Sequence, residues 1–343
     1  MLIIVNNIYL KGVDMIPKGE YISELRQGDA VRAVFMVSEK RILTARNGKQ
    51  YARLTLTDKT GEITAIIWDD ARKATSSFKP GAIAGVRGVV EAYDERLQIR
   101  ITKITPLNDD DVDISTLIPT SSRNMSEMLE ELQGFISGIK DPHLAKILKN
   151  IFNRNGITAA FAKSPAAKLI HHNYAGGLIE HTLTLAEAID ALYPIFSSAG
   201  MNRDLLIAGA LLHDIGKIYE YSFDRVINIT PVGRLLGHVY ISAHMVDKEI
   251  EAIDGFPDEL RLQLIHIILS HHGELEFGSP KLPMTKEAMF LHMIDDLDAK
   301  LKGFSSLIEA TPRDEIFSAF SRIYNRYIYT RGYPESNDKE PEP

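Results

Sequence analysis

The chain has 343 residues, 45% of them hydrophobic, and it contains no cysteine. This length predicts two domains with their own cores, and the lack of cysteine excludes disulfides, zinc-thiolate sites and cysteine nucleophiles and fits a reducing cytoplasm. The apolar opening MLIIVNNIYL lacks basic residues, which argues against a signal peptide, and no apolar run approaches the roughly 18 residues of a membrane span. We therefore expect a cytoplasmic protein that does not interact with a membrane.

The net charge of −7 is unevenly distributed along the chain. Residues 1–105 carry 17 Lys and Arg against 12 Asp and Glu, a balance of +5, whereas the remaining residues have a balance of −12. A basic first part favours an anionic partner, and an acidic second part favours cations. The two parts are thus predicted to bind different ligands.

Residues 29–105 contain short alternating runs that are typical of β-strands, and residues 1–17 are interpreted as an N-terminal extension. Strands are expected at 30–37, 51–57, 62–68, 83–92 and 97–104, with a short helix after Trp68. Five strands with a helix between the third and fourth is the order of an OB-fold, a barrel that often binds oligonucleotides. We therefore predict an all-β OB-fold domain over residues 18–105.

The second expected strand and the loop before it suggest a nucleic-acid-binding surface. The alternation of side chains along this strand turns Tyr51 and Arg53 away from the core. Trp68, at the end of the next strand, is expected inside the barrel. The loop is expected to carry the cations Lys40, Arg41, Arg46 and Lys49. Such a surface suits a phosphate backbone, with Tyr51 available to stack on a base. The alternative is an ordinary solvated loop tip.

Residues 106–124 are acidic and rich in Ser, Thr and Pro, as in a linker, and helical periodicity dominates after Ser126. Helices are expected at 126–139, 142–152, 177–193, 203–214, 239–253, 257–271, 286–302 and 313–329. We therefore predict an all-α helical bundle over residues 125–333 and a disordered, proline-rich tail at 334–343.

Ten of the eleven histidines lie between His171 and His292. Several occupy positions where periodicity places core side chains, and His213 and Asp214 end a fully apolar run. A buried carboxylate needs a partner, which is either a satisfied His–Asp pair or a metal cation. Imidazoles and carboxylates without thiolates suit divalent Mn, Fe, Co, Ni or Zn, and the sequence does not choose among these metals.

Five segments follow one another behind the expected barrel: HHNYAGGLIEHT, LLHDIGK, LLGHV, SHHGELEFGSP and IDDLDAK. With them the chain resembles the metal-dependent HD-domain phosphohydrolases and, more narrowly, the YhaM-type 3'-5' exoribonucleases, over about residues 18–305. Asp296 departs from this pattern, since asparagine is expected there. The resemblance implies an HD-domain hydrolase that shortens RNA from its 3' end.

The resemblance also implies a set of metal ligands. One ion would be held by His181, His213, Asp214 and Asp295. Asp214 would bridge to a second ion, which is completed by His238 and His271. Six ligand-type residues exceed what one tetrahedral site needs. Lys217 would contact phosphate or else be a solvated lysine, and His272 would bind phosphate or orient a ligand. His171 and His172 are assigned either to the substrate or to a helix cap.

Two divalent cations would activate water and neutralise phosphate, so that barrel-bound single-stranded RNA is cut to nucleoside monophosphates. Cleavage of single-stranded DNA and assembly into a homo-oligomer are left open. Two alternatives remain: a phosphodiesterase or phosphohydrolase for small nucleotides, and a nucleic-acid-binding factor with a structural metal site. The barrel argues against a phosphohydrolase for small nucleotides. GELEFGSP follows the histidine pair, whereas a cyclic-dinucleotide phosphodiesterase would carry Gly-Tyr-Pro there.

Overall fold

The computed structural model describes residues 15–45, 47–93, 96–118, 120–121, 123–167, 174–223, 226–309, 311–312 and 314–333. They form two compact units. The first comprises the described residues up to Thr120 together with Val226, and the second comprises the remaining described residues from Ser121 onward. Expectations for residues 1–14, Arg46, His171, His172 and 334–343 concern positions outside the described residues.

The first unit is a closed five-stranded barrel with the strand order β1-β2-β3-β5-β4. Its elements are β1 (Ala30–Thr44), β2 (Gln50–Asp58), β3 (Gly61–Ile67), α1 (Ala71–Ala74), β4 (Ala82–Tyr93) and β5 (Arg96–Leu107). Strands β3 and β5 pair in parallel, and the other neighbours are antiparallel. The predicted OB-fold, with a helix between the third and fourth strands, is therefore confirmed.

Alternation along β2 forms one side of the barrel core. Ala52, Leu54 and Leu56 are fully buried, whereas Arg53 is exposed between them and Tyr51 is half-buried. This is the inward and outward arrangement that the sequence predicts, because successive side chains of a strand point to opposite faces.

Two expectations for the barrel were wrong. β1 continues to Thr44 because it pairs with β2 as far as Gln50, so Lys40 and Arg41 lie in a strand and not in the loop. Trp68 is 39% exposed and contacts the ring of Tyr51 instead of filling the core. The core contains the fully buried Phe35 and Phe78 instead.

The second unit is a helical bundle, as predicted, and it includes a small two-stranded hairpin. Its helices are α2 (Met125–Gly138), α3 (Pro142–Asn153), α4 (Ile157–Lys163), α5 (Gly177–Leu192), α6 (Arg203–Leu212), α7 (Lys217–Glu220), α8 (Pro231–Glu251), α9 (Asp258–Ser270) and α10 (Lys286–Glu309). The hairpin pairs β6 (Tyr221–Phe223) with β7 (Ile227–Ile229). Leu205–Leu212 of α6 is buried on every side and packs against α3, α5, α9 and α10. Within the described ranges, no helix is long and apolar enough to cross a membrane.

The helix expected at 313–329 is absent from the described part of that range. Residues 314–333 instead form an irregular hairpin, with β-bridges between Phe317 and Tyr329 and between Ser321 and Arg326. Asn325 has a φ of 51° at the turn, a conformation that ends a right-handed helix. Helices α4 and α7 and the β6–β7 hairpin were not predicted from the sequence.

Candidate metal centre and nucleic-acid interface

All six residues predicted as metal ligands lie close together in the helical unit. They come from the middle of α5, the ends of α6 and α9, and the interiors of α8 and α10. Three groups bring potential ligand atoms within 4.8 Å of one another: His181, His213 and Asp295; His213, Asp214 and His271; and His238, His271 and His272. His272 thus joins the cluster beside His271, and both adjacent histidines face the same centre.

Glycines allow the surrounding backbone to approach this centre. A Cβ at Gly216 would lie 2.5 Å from the carbonyl oxygen of His238, so only glycine lets the turn after Asp214 contact α8. The Gly216 amide donates to Ser242 Oγ at 2.8 Å. Gly237, with a φ of 71°, interrupts α8 one residue before His238. The LLHDIGK motif therefore packs through Gly216 against His238 of the LLGHV motif.

The Nδ1 atom of every histidine in the cluster has a partner, which orients each ring. The partners are Ala210 O for His213 (2.8 Å), Ile268 O for His271 (2.7 Å), Phe277 O for His272 (3.0 Å), Asp298 Oδ2 for His181 (2.8 Å) and Glu220 Oε2 for His238 (2.6 Å). A carbonyl oxygen only accepts, so Nδ1 carries the proton in the first three. In all five rings Nε2 faces the centre, as in histidines that ligate metals.

The two carboxylate oxygens of Asp214 face different histidines. Oδ2 lies 3.2 Å from Nε2 of His213 and 3.7 Å from Nε2 of His181. Oδ1 lies 3.4 Å from Nε2 of His238 and 3.6 Å from Nε2 of His271. Asp214 therefore stands between two pairs of imidazoles.

Three atoms at the centre fit a cation. Nε2 of His213, Nε2 of His271 and Oδ1 of Asp214 are buried and have no hydrogen-bond partner among the described residues. Buried polar atoms normally have a partner, and unpartnered ones cost free energy. Since all three atoms can offer lone pairs to the same region, a divalent cation would satisfy them together.

The electrostatics of the site favour the metal-binding charge states of Asp214, Asp295 and His271. Burial opposes ionisation of Asp214, but Lys217 and His213 outweigh it and hold the pKa of this carboxyl well below its usual range. The hydrogen bond with His181 likewise overcomes burial and lowers the pKa of Asp295. Burial, reinforced by His272 and His213, lowers the pKa of His271, which is therefore neutral at neutral pH. Ionised carboxylates and a neutral imidazole are the forms that bind metals.

Lys217 is buried beside the cluster. Its side chain is 8% exposed, and its Nζ lies 2.5 Å from Oδ2 of Asp214. A solvated lysine at a helix end, the alternative interpretation of the sequence, is therefore wrong. Its ammonium group stands next to the carboxylate that faces both pairs of imidazoles.

Sequence reasoning missed the roles of two carboxylates. Asp298 lies one turn after Asp295 on the same face of α10, a spacing that could have identified it as a partner of the site. Glu220 ends the four-residue α7 and contacts His238 across 18 residues of sequence. No periodicity marks a residue in so short a helix.

The barrel carries a separate aromatic and basic surface on β2. The rings of Tyr51 and Trp68 lie with their centroids 4.8 Å apart at an interplanar angle of 31°. Arg53, two residues after Tyr51 in β2, is exposed. Arg53 pairs in register with Arg41 of β1. Tyr51, Trp68 and the two arginines therefore offer ring faces and positive charge on the outside of the barrel.

Three of the predicted cations have protein partners, and one of them is Arg41, which forms an exposed pair with Glu39 at 3.2 Å. Lys40 donates from Nζ to the carbonyl oxygen of Thr75 at 2.9 Å, and Lys49 pairs with Asp69 at 2.7 Å. The pair of Lys49 is exposed, and such pairs contribute little and exchange readily with other partners. The remaining predicted cation, Arg46, lies outside the described residues.

Comparison with known families and proteins agrees with both units. The family model described as OB-fold nucleic acid binding domain matches residues 31–107, and the HD domain model matches residues 178–300. The 3'-5' exoribonuclease YhaM of Geobacillus sp. (strain WCH70) is 34% identical over 303 residues, covering 88% of this chain and 92% of the relative. That of Bacillus subtilis (strain 168) is 34% identical over 316 residues, covering 91% and 98%. The chain therefore belongs to the YhaM family of 3'-5' exoribonucleases.

Proposed function

We propose that this protein is a metal-dependent 3'-5' exoribonuclease that hydrolyses single-stranded RNA to nucleoside monophosphates. The observation that carries the proposal is the set of four imidazoles that turn Nε2 toward Asp214, together with three buried atoms that lack a hydrogen-bond partner among the described residues. Family membership supports RNA as the substrate and the 3' end as the point of attack.

Two divalent cations fit the proposal better than one. His181, His213 and Asp295 group on one side, His238, His271 and His272 group on the other, and Asp214 faces both. When bound, the ions would supply stabilisation of phosphate charge and a lowered pKa for water. The imidazole and carboxylate donors suit Mn, Fe, Co, Ni or Zn.

The chain's own residues have distinct roles in this scheme. Asp214, ionised and held between the imidazoles, keeps the two groups of ligands together. Lys217 would leave Asp214 Oδ2 to donate a hydrogen bond to a phosphate oxygen of the substrate, because its ammonium is buried directly beside that carboxylate. His272, beside His238, would contact either a cation or the phosphate.

The barrel would bind the RNA strand. Tyr51 and Trp68 offer ring faces for unpaired bases, and Arg53 offers charge for phosphates. Stacking needs bases that are not paired, so single strands are favoured over duplexes. Binding should weaken as salt rises, because phosphate contacts release counterions.

A labelled RNA tests the proposed function. With Mn²⁺ present, a 5'-labelled single strand should shorten as a ladder, and Asp214→Ala should remove cleavage while the protein stays folded. Asp296→Ala, which changes an aspartate of α10 paired with Lys300, is the matched control and should cleave normally. Early release of labelled mononucleotide would mean the opposite polarity. Binding without cleavage by both the wild type and Asp214→Ala would identify a binding factor with a structural metal.

A further inference from the structure

Residues 314–333, named here the C-terminal hairpin, are attached to α10 by one of their two faces. Ser318 donates its backbone amide to the carbonyl oxygen of Ile328 at 2.8 Å, and both side chains are buried. The ring of Tyr324 contacts Phe304 of α10 with the centroids 4.9 Å apart. The hairpin is therefore closed by its own backbone and held against α10 through Tyr324.

The hairpin also exposes two pairs of aromatic rings. Phe317 and Tyr329 have centroids 5.7 Å apart, and Phe320 and Tyr327 have centroids 5.2 Å apart. These four side chains are 52%, 51%, 47% and 62% exposed. Clustered exposed rings on a folded domain mark an interaction surface, since scattered single residues would need no explanation.

The charge of this hairpin differs from that of the unit around it. Residues 316–333 contain three exposed arginines and no Asp or Glu, although the chain after residue 105 has a balance of −12. The arginines are Arg322, Arg326 and Arg331. Asp314 and Glu315 directly precede this stretch. Its aromatic and cationic side chains are thus interleaved without intervening carboxylates.

We propose that the exposed face of the C-terminal hairpin is a second binding surface for single-stranded RNA, in addition to the barrel. The rings would stack on unpaired bases and the guanidinium groups would neutralise phosphates, the combination that binds single strands without sequence preference. The inference rests on the proposed function for the choice of RNA as the polymer.

The charge distribution favours RNA over a second copy of this chain. A two-fold interface would place the hairpin against itself and bring two sets of three arginines together. Like charges opposed in an interface are unfavourable, whereas an anionic strand is complementary to them.

Fluorescence anisotropy of a labelled 20-nucleotide single-stranded RNA tests the proposal, with EDTA present to prevent cleavage. In the full-length protein, Phe320→Ala with Tyr327→Ala should weaken binding about tenfold, because each stacked base contributes substantially. Arg322→Gln with Arg326→Gln should weaken binding and reduce the slope of log affinity against log salt by roughly 1.4, at about 0.7 for each phosphate contact.

Phe196→Ala is the matched control, since Phe196 is 48% exposed and contacts the ring of Phe290 elsewhere in the same unit. It should bind RNA as the wild type does. Unchanged affinity and salt slope in the hairpin variants would overturn the proposal, as would a changed oligomeric state by light scattering without a change in RNA affinity. If the alanine variant does not fold, the exposed arginine variants decide the question.

Metal-dependent hydrolysis of a chromogenic nucleotide ester, measured separately, should stay normal in the hairpin variants. Absence of this hydrolysis in the wild type would count against the proposed function alone.

Discussion

Asp298→Asn should weaken metal binding without unfolding the protein. Oδ2 of Asp298 lies 2.8 Å from Nδ1 of the buried His181, and this contact turns Nε2 toward Asp295 at 3.2 Å. Residues that orient metal ligands typically contribute 10- to 100-fold in affinity. Asparagine has nearly the size of aspartate and can still accept a hydrogen bond. We therefore expect a loss of metal affinity at the lower end of this range, about tenfold or ~1.4 kcal/mol.

The loss of metal affinity in Asp298→Asn should depend on pH, because Asp298 affects the protonation of His181. Burial alone would lower the pKa of His181, but hydrogen bonds with Asp295 and Asp298 raise it to about 9. At pH 7 a metal must therefore displace a proton from this ring. The variant removes one of the two carboxylates, so its His181 releases the proton more easily. The easier release of this proton partly offsets the metal affinity that is lost with the orientation of the ring, and the offset is largest where the ring is mostly protonated. The loss of Mn²⁺ affinity in the variant should therefore be smaller at pH 6.5 than at pH 8.5.

Calorimetric titration with Mn²⁺ at both pH values measures this effect, and circular dichroism checks the fold. Asp296→Asn is the control, because Asp296 lies two residues away on α10 and pairs with Lys300 at 2.6 Å instead of with a histidine. The control should bind Mn²⁺ as the wild type does. Equal affinities for all three proteins at both pH values would show that Asp298 does not position His181.

Three further predictions concern other parts of the molecule. In the wild type, because the raised pKa keeps His181 protonated below about pH 9, Mn²⁺ binding should release a proton and tighten as pH rises from 7 toward 9, seen by titration in buffers of different ionisation enthalpy. Trp68→Ala should weaken single-stranded RNA binding several-fold by anisotropy, whereas Tyr93→Ala, 71% exposed elsewhere on the barrel, should have no effect. Lys18→Met should destabilise the barrel by about 3 kcal/mol in urea unfolding, because the buried Asp58 loses the ammonium at 3.0 Å; an unchanged midpoint would contradict this.

The sequence alone predicted the architecture and the histidine and aspartate residues that gather around Asp214. Alternation in β2 and helical periodicity around His181 and His213 are local patterns, and burial follows from them because one face of each element must pack. The order of the histidine and aspartate motifs then led to the family, which the comparisons confirm.

Only the tertiary structure revealed the carboxylates that contact these histidines. Asp298 meets His181 across 117 residues of sequence, and no local pattern specifies such a contact. The same holds for Trp68, which was expected in the core although it contacts Tyr51 and is 39% exposed. Residues 313–329 were predicted as a helix, yet residues 314–333 pair with one another and expose their rings, because cross-strand contacts and the turn at Asn325 override local propensity.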